Sequence, residues 1–81
     1  MSGMFRSEAP LHMATHAERM SEAINRLQAL GVPFYRPSEH QLKIGKLNYY
    51  PGKGTINFDG HPALAERGLE ACVRIVLNGQ T

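Results

Sequence analysis

One cysteine, Cys72, and no tryptophan stand among these 81 residues. A lone thiol excludes an internal disulfide and any zinc site built from several cysteines, and it fits a reducing compartment. No apolar run approaches the roughly 20 residues that a membrane-spanning helix needs. The N-terminal stretch also lacks the unbroken apolar core of a secretory signal, because Arg6, Glu8 and His12 interrupt it. A cytoplasmic location is the expectation. Charge of one sign is scarce as well: nine basic against seven acidic residues leave +2, far from the excess that announces a nucleic-acid binder on its own. Aromatics make up only 7% of the chain, yet a hydrophobic content of 42% is that of a folded domain. A domain this short buries only about 60 to 65% of the surface its unfolded chain exposes.

The most informative absence is local. From Gln41 to Phe58 there is no acid, while Lys43, Lys46 and Lys53 fall within that span and Arg36 lies just before it. The same stretch alternates. Leu42 and Ile44 share one side, as do Leu47 with Tyr49 and Ile56 with Phe58, which is the period of half-buried strands. Gly45-Lys46 and Pro51-Gly52-Lys53-Gly54 separate the three segments, and both read as tight turns, the second offering two glycines able to take positive φ. Pro33 to Arg36 reads as a further short edge strand, bounded by Pro37-Ser38-Glu39-His40.

Helices flank this meander. Thr15-His16-Ala17-Glu18 has the S/T-x-x-E form of a capping box, followed by an apolar stripe at Ala17, Met20, Ala23, Ile24, Leu27 and Leu30 and closed by Gly31 and Pro33. After Asp59-Gly60, Pro62 suits the first position of a second helix. Its apolar face would be Ala65, Gly68, Leu69, Cys72, Val73 and Val76, with Asn78-Gly79 as the stop and Gly68 permitting close approach to the sheet. Residues 1–12 read as a flexible arm and 13–79 as one α+β domain. The fold expected is helix, three- or four-stranded antiparallel meander, helix, with both helices on one sheet face, since no other material can cover it. The opposite face would then present to water whichever of Lys43, Asn48, Tyr50, Thr55 and Asn57 point away from the helices.

This αβββα order resembles the double-stranded-RNA-binding domain fold over about residues 15–77. That family grips duplex phosphates with a lysine-rich start to its second helix, where this chain has His61-Pro62-Ala63-Leu64-Ala65-Glu66-Arg67, so the resemblance is one of architecture. Residues 44–56, with Asp59-Gly60 and Arg67-Gly68-Leu69, also resemble small uncharacterised phage and prophage proteins that share a Tyr-Tyr-Pro-x-x-Gly-Thr hairpin. That resemblance implies a bacterial mobile-element context and no particular chemistry.

Catalytic patterns are weak. Pro-Gly-Lys-Gly-Thr has letters of a phosphate-binding loop, but a strand follows where that loop requires a helix N-terminus. His12 and His16 have the i, i+4 spacing of zinc ligands without a third ligand nearby, and are read as surface histidines. His40 and His61 sit at turns, where either is able to line a small site with Asp59. Asp59, His61 and Glu66 form the one compact acid and imidazole group, placed where turns and caps call for such residues. Cys72 reads as core.

The sequence therefore points to a small binding module, not an enzyme, with no metal or cofactor. Nucleic acid is the first expected partner, with Arg36, Lys43, Lys46 and Lys53 for phosphates and whichever of Tyr49 and Tyr50 is exposed, taken as Tyr50, for base stacking. The alternative is a phage or prophage protein-interaction module that docks on a host or defence protein through the sheet or its edge. A monomer or weak homodimer, with no membrane contact, is expected in either case.

Overall fold

A computed structural model describes residues 15–79. The proposed arm at 1–12, and with it His12, lies outside the described residues. The chain runs through α1 (His16–Ala29), β1 (Tyr35–Ser38), β2 (Gln41–Ile44), β3 (Leu47–Tyr50), β4 (Thr55–Phe58) and α2 (Leu69–Leu77). The strands form a four-stranded antiparallel sheet in sequence order. This is the expected α+β arrangement of helix, meander and helix.

Local signals place α1. Glu18 N–H donates to Thr15 Oγ1 at 3.1 Å and Thr15 N–H donates to Glu18 Oε1 at 2.8 Å, completing the capping box. At the other end Val32 N–H reaches the Leu27 carbonyl at 2.9 Å and Gly31 N–H the Gln28 carbonyl at 3.1 Å. Those two bonds are the Schellman pattern, which satisfies carbonyls the helix leaves open.

Register then sorts the sheet residues by face. Leu42 pairs with Tyr49, Ile44 with Leu47, Leu47 with Phe58 and Tyr49 with Ile56, so the apolar members of β2, β3 and β4 point the same way. They meet Met20, Ala23 and Leu27 of α1 and Ala71, Cys72 and Ile75 of α2 in one core. Both helices therefore cover one face. The first strand lies two residues later than Pro33–Arg36 and includes Pro37. All four of its residues are exposed and its register with β2 shifts between Tyr35 and Ser38, which suits a proline confined to an edge.

The second helix differs from its expected course. It starts at Leu69, not at Pro62, and Ala65 is exposed. Proline favours a helix start only through its own φ, and here the following donors are drawn elsewhere. Leu64 N–H donates to the Ile56 carbonyl at 2.8 Å and Gly68 N–H to the Gly54 carbonyl at 2.8 Å, laying residues 61–68 along the outer edge of β4. Gly68 then ends this segment at φ 92° and ψ 170° as the N-cap of α2. A Cβ there would meet nothing within 4 Å, so glycine is required by backbone conformation and not by close packing against the sheet. In the 51–54 loop Gly54 takes positive φ, at 81°, whereas Gly52 does not. Gly52 is constrained by space instead: a Cβ on it would fall 2.8 Å from Cγ of His16.

These two glycines should respond differently to substitution. Gly68→Ala should destabilise the fold by about 1 to 3 kcal/mol, the cost of holding a side chain in a region open essentially to glycine alone. Gly52→Ala should cost less, because exposed His16 can swing its ring into solvent, and it should shift the His16 imidazole resonances. Urea unfolding and NMR of the two variants check this. A larger loss for Gly52→Ala would contradict it.

Candidate functional site

The meander decides which side chains can meet. The β1–β2 and β3–β4 connections turn at one end of the sheet and the β2–β3 connection at the other. Glu39-His40 and the 51–54 loop therefore share an end, where the His16 ring of α1 also packs against Gly52. Gly45-Lys46 lies at the far end, where Asp59 N–H donates to the Lys46 carbonyl at 2.9 Å. A four-residue strand separates the two ends by about 13 Å.

Of the five residues expected to bind, Arg36, Tyr50 and Lys53 line one concavity of about 700 Å³ at the shared end, together with His16, His40 and Glu39. Buried Met20 contributes to its lining. Arg36 donates from Nη2 to the Glu39 carbonyl at 3.1 Å, which leaves most of its N–H groups available. Among the described residues neither Arg36 nor Lys53 forms an ion pair. Tyr50 is half-buried on the face away from the core, whereas Tyr49 is 2% exposed in the core. Burial pushes the Tyr49 phenol up to about 12.

Lys43 and Lys46 do not join this group. The Lys43 ammonium donates to Asp59 Oδ1 at 2.6 Å and to Asn48 Oδ1 at 3.1 Å. Gln41 Nε2 also donates to Asn48 Oδ1 at 2.8 Å, and Asn48 Nδ2 donates to Asp59 Oδ1 at 2.9 Å. Asn48, expected to face water, is only 6% exposed. Its carbonyl oxygen accepts two bonds and its amide nitrogen donates one, as a buried amide requires. The centre of the open face is thus a closed polar network in which Asp59, one residue past β4, neutralises Lys43. Lys46 lines a separate concavity of about 1280 Å³ with Asp59, His61, Glu66, Phe58 and Ile75, a setting of mixed charge. His61 and Asp59 do share this recess, while His40 lies at the other end.

The 51–54 loop is held by donors that spacing alone did not reveal. Arg19 of α1 donates from Nη1 to the Gly52 carbonyl at 2.7 Å, and Arg67 donates from Nη2 to the Lys53 carbonyl at 2.6 Å. Lys53 N–H and Gly54 N–H both reach the Tyr50 carbonyl, at 3.1 and 2.7 Å. Arg19 and Arg67 are therefore loop anchors. His16 was visible as the residue after the cap, but its approach to Gly52 joins positions 36 apart and has no local signal.

Chemically, the concavity joins a guanidinium, an ammonium and two imidazoles, with Glu39 as its acid and with Tyr50, which register places on the open face of the sheet, also in its lining. Such a set suits an anion attached to a flat ring. Among the described residues no three His, Cys, Asp or Glu side chains gather as a metal site, and no helix is long and apolar enough to cross a membrane. Burial raises the Cys72 thiol to about 11, which removes the thiolate needed for nucleophilic chemistry. Comparison with protein-family models, curated proteins and solved structures finds no match to this chain.

The Asp59 network makes a pH prediction. Hydrogen bonds first from Lys43 and then from Asn48 hold the Asp59 carboxyl below its ordinary value of 3.8. A carboxylate whose folded-state value is depressed adds stability above its unfolded value and loses it as pH falls through the folded one. Asp59→Asn should therefore lower the urea midpoint at neutral pH, and the difference from the parent chain should close at pH values well below 3.8. A gap that persists unchanged in acid would show that the carboxylate charge is not responsible.

Proposed function

We propose that this chain is a small non-enzymatic module that binds single-stranded nucleic acid at the hairpin end of its sheet. The observation that supports this reading is the meeting of Arg36, Lys53 and Tyr50 in one concavity. Arg36 offers a fork of donors to a phosphate and Lys53 a point charge. Tyr50 supplies a ring on which a base stacks without sequence preference. Lys43 has a smaller part than its charge suggests, because Asp59 already occupies it. A reducing, cytoplasmic setting suits the single buried thiol.

A second reading follows from the sheet edge. Residues 61–68 cover β4, whereas β1 is exposed along its length and carries Tyr35 at 60% exposure. A phage or prophage interaction module would use that open edge to add a strand from a host protein.

Salt titration of binding to matched single- and double-stranded DNA and RNA tests the first reading. Single strands should bind more tightly at low salt, with affinity falling as salt rises. The Arg36→Ala, Lys53→Ala double variant should lose about tenfold, or about 1.4 kcal/mol, while Lys46→Ala should change little. Absence of binding to every nucleic acid at low salt overturns the proposal. Capture of a bacterial protein that persists after nuclease digestion, and is lost when β1 is altered, would favour the second reading.

A further inference from the structure

We infer that the open face of the sheet is the surface that reads bases: Tyr35 joins Tyr50 as a second stacking ring, and the amide oxygens of Gln41 and Asn57 favour cytosine, with its exocyclic amino group, over uracil. This rests on the nucleic-acid reading above and names the base chemistry and the residues that select it.

Register puts these side chains on one face. Leu42 and Ile44 turn into the core, so Gln41 and Lys43 turn away from it, and Tyr35 opposes Lys43. On the same side Asn48 opposes Asn57 and Tyr50 opposes Thr55. Tyr35 is 60% exposed, whereas its neighbour Phe34 packs against the core. Two strand spacings and a step of two residues separate Tyr35 from Tyr50, about 12 Å between their backbones. Stacked neighbours along one nucleic-acid strand are about 3.4 Å apart, so the two rings take separate bases.

The amides between them are oriented by charge. The Lys43 ammonium only donates and the Asp59 carboxylate only accepts. Lys43 Nζ lies 3.1 Å from one end of the Asn48 amide and Asp59 Oδ1 lies 2.9 Å from the other, which fixes the first end as oxygen and the second as nitrogen. Gln41 must then approach Asn48 Oδ1 with Nε2, at 2.8 Å. Its own Oε1 is left without a donor among the described residues. Asn57 is fixed in the same way, because its Nδ2 reaches the carbonyls of Phe58 and His61 at 3.1 and 3.3 Å. Its Oδ1 likewise has no donor among the described residues. Gln41 and Asn57 are both half-buried, so the face presents two acceptors whose orientation is set before a ligand arrives. Such preorganisation reduces the ordering cost of binding.

Charge complementarity assigns the occupant. Lys43 and Asp59 cancel at 2.6 Å, so the middle of the face is neutral and offers phosphates nothing. Cations stand at its rim. Arg36 follows Tyr35 in β1 and Lys53 lies at the hairpin tip beyond Tyr50, neither in an ion pair among the described residues. Arg19, Lys53 and Arg67 also line a concavity beside the hairpin, so a backbone finds positive charge on both sides of the loop. Rim contacts position the strand and the neutral face discriminates among its bases. Cytosine brings an amino donor where uracil, like thymine, brings a carbonyl oxygen. An amide oxygen facing that carbonyl leaves two acceptors unpaired.

The experiment uses the full chain with oligonucleotides of deoxycytidine and of deoxyuridine, about six residues long to reach both rings. The two probes have the same ring size, so their difference reports the edge of the base. Calorimetry at pH 7 gives affinities, and NMR shows that each variant is folded. The cytosine strand should bind about fivefold more tightly than the uracil strand, as one added hydrogen bond implies. Gln41→Met and Gln41→Ala each remove the amide oxygen, and either should bring the two affinities together by weakening the cytosine strand. Tyr35→Ala should weaken both strands about tenfold, within the range of one lost stack, and Tyr35→Phe should restore them. Equal or reversed affinities in the parent chain, a preference that survives loss of the Gln41 amide, or a silent Tyr35→Ala overturns the inference while nucleic-acid binding survives. Failure of both strands to bind at low salt overturns the nucleic-acid reading as well.

Discussion

The 51–54 loop must find donors for its own carbonyls, and the solution to that need joins the parts of the molecule. Arg19 comes from α1, Arg67 from the segment before α2, and Gly68 N–H from the cap of α2 itself. The Gly52 carbonyl is partly buried, where an unpaired acceptor would cost about 1 to 3 kcal/mol, whereas the Arg67–Lys53 bond is exposed. Three of these carbonyls tie the helix before the sheet and the segment after it to a single turn. A small domain with little core gains its definition from such polar joints as well as from apolar contact.

Much of the fold was legible because its signals are local. The capping box at Thr15 and Glu18, the glycine after Leu30, and the alternation from Leu42 to Phe58 each act within a few residues, and each behaves as its spacing implies. The beginning of α2 was not legible for the opposite reason. Pro62 favours a helix through its own ring, but Leu64 and Gly68 donate to carbonyls of β4, and those partners are distant in sequence. Likewise Gly52 and Gly54 look alike as turn residues, while one answers to the His16 ring and the other to its own φ.

The candidate site was legible in its residue types and less so in its location. An acid-free run suggested a basic sheet, and counting charges within that run could not show that Asp59 folds back onto Lys43. Register supplied what composition lacked. It separates Lys46 from Lys53 by the length of β3 and brings Arg36, Tyr50 and Lys53 to a common recess. His16 and His40 enter that recess from α1 and the β1–β2 turn, elements whose mutual position depends on the whole fold.

The covering of β4 by residues 61–68 has a consequence for self-association. A sheet propagates into a fibre only when each added copy exposes a fresh edge like the one it used. Here one margin is already spoken for, so a copy that pairs through β1 presents no second template. Growth by edge pairing would terminate at two chains, and Pro37, which lacks an N–H, would make even that step an imperfect one. The connection that displaced the start of α2 would thus act as a stop on polymerisation.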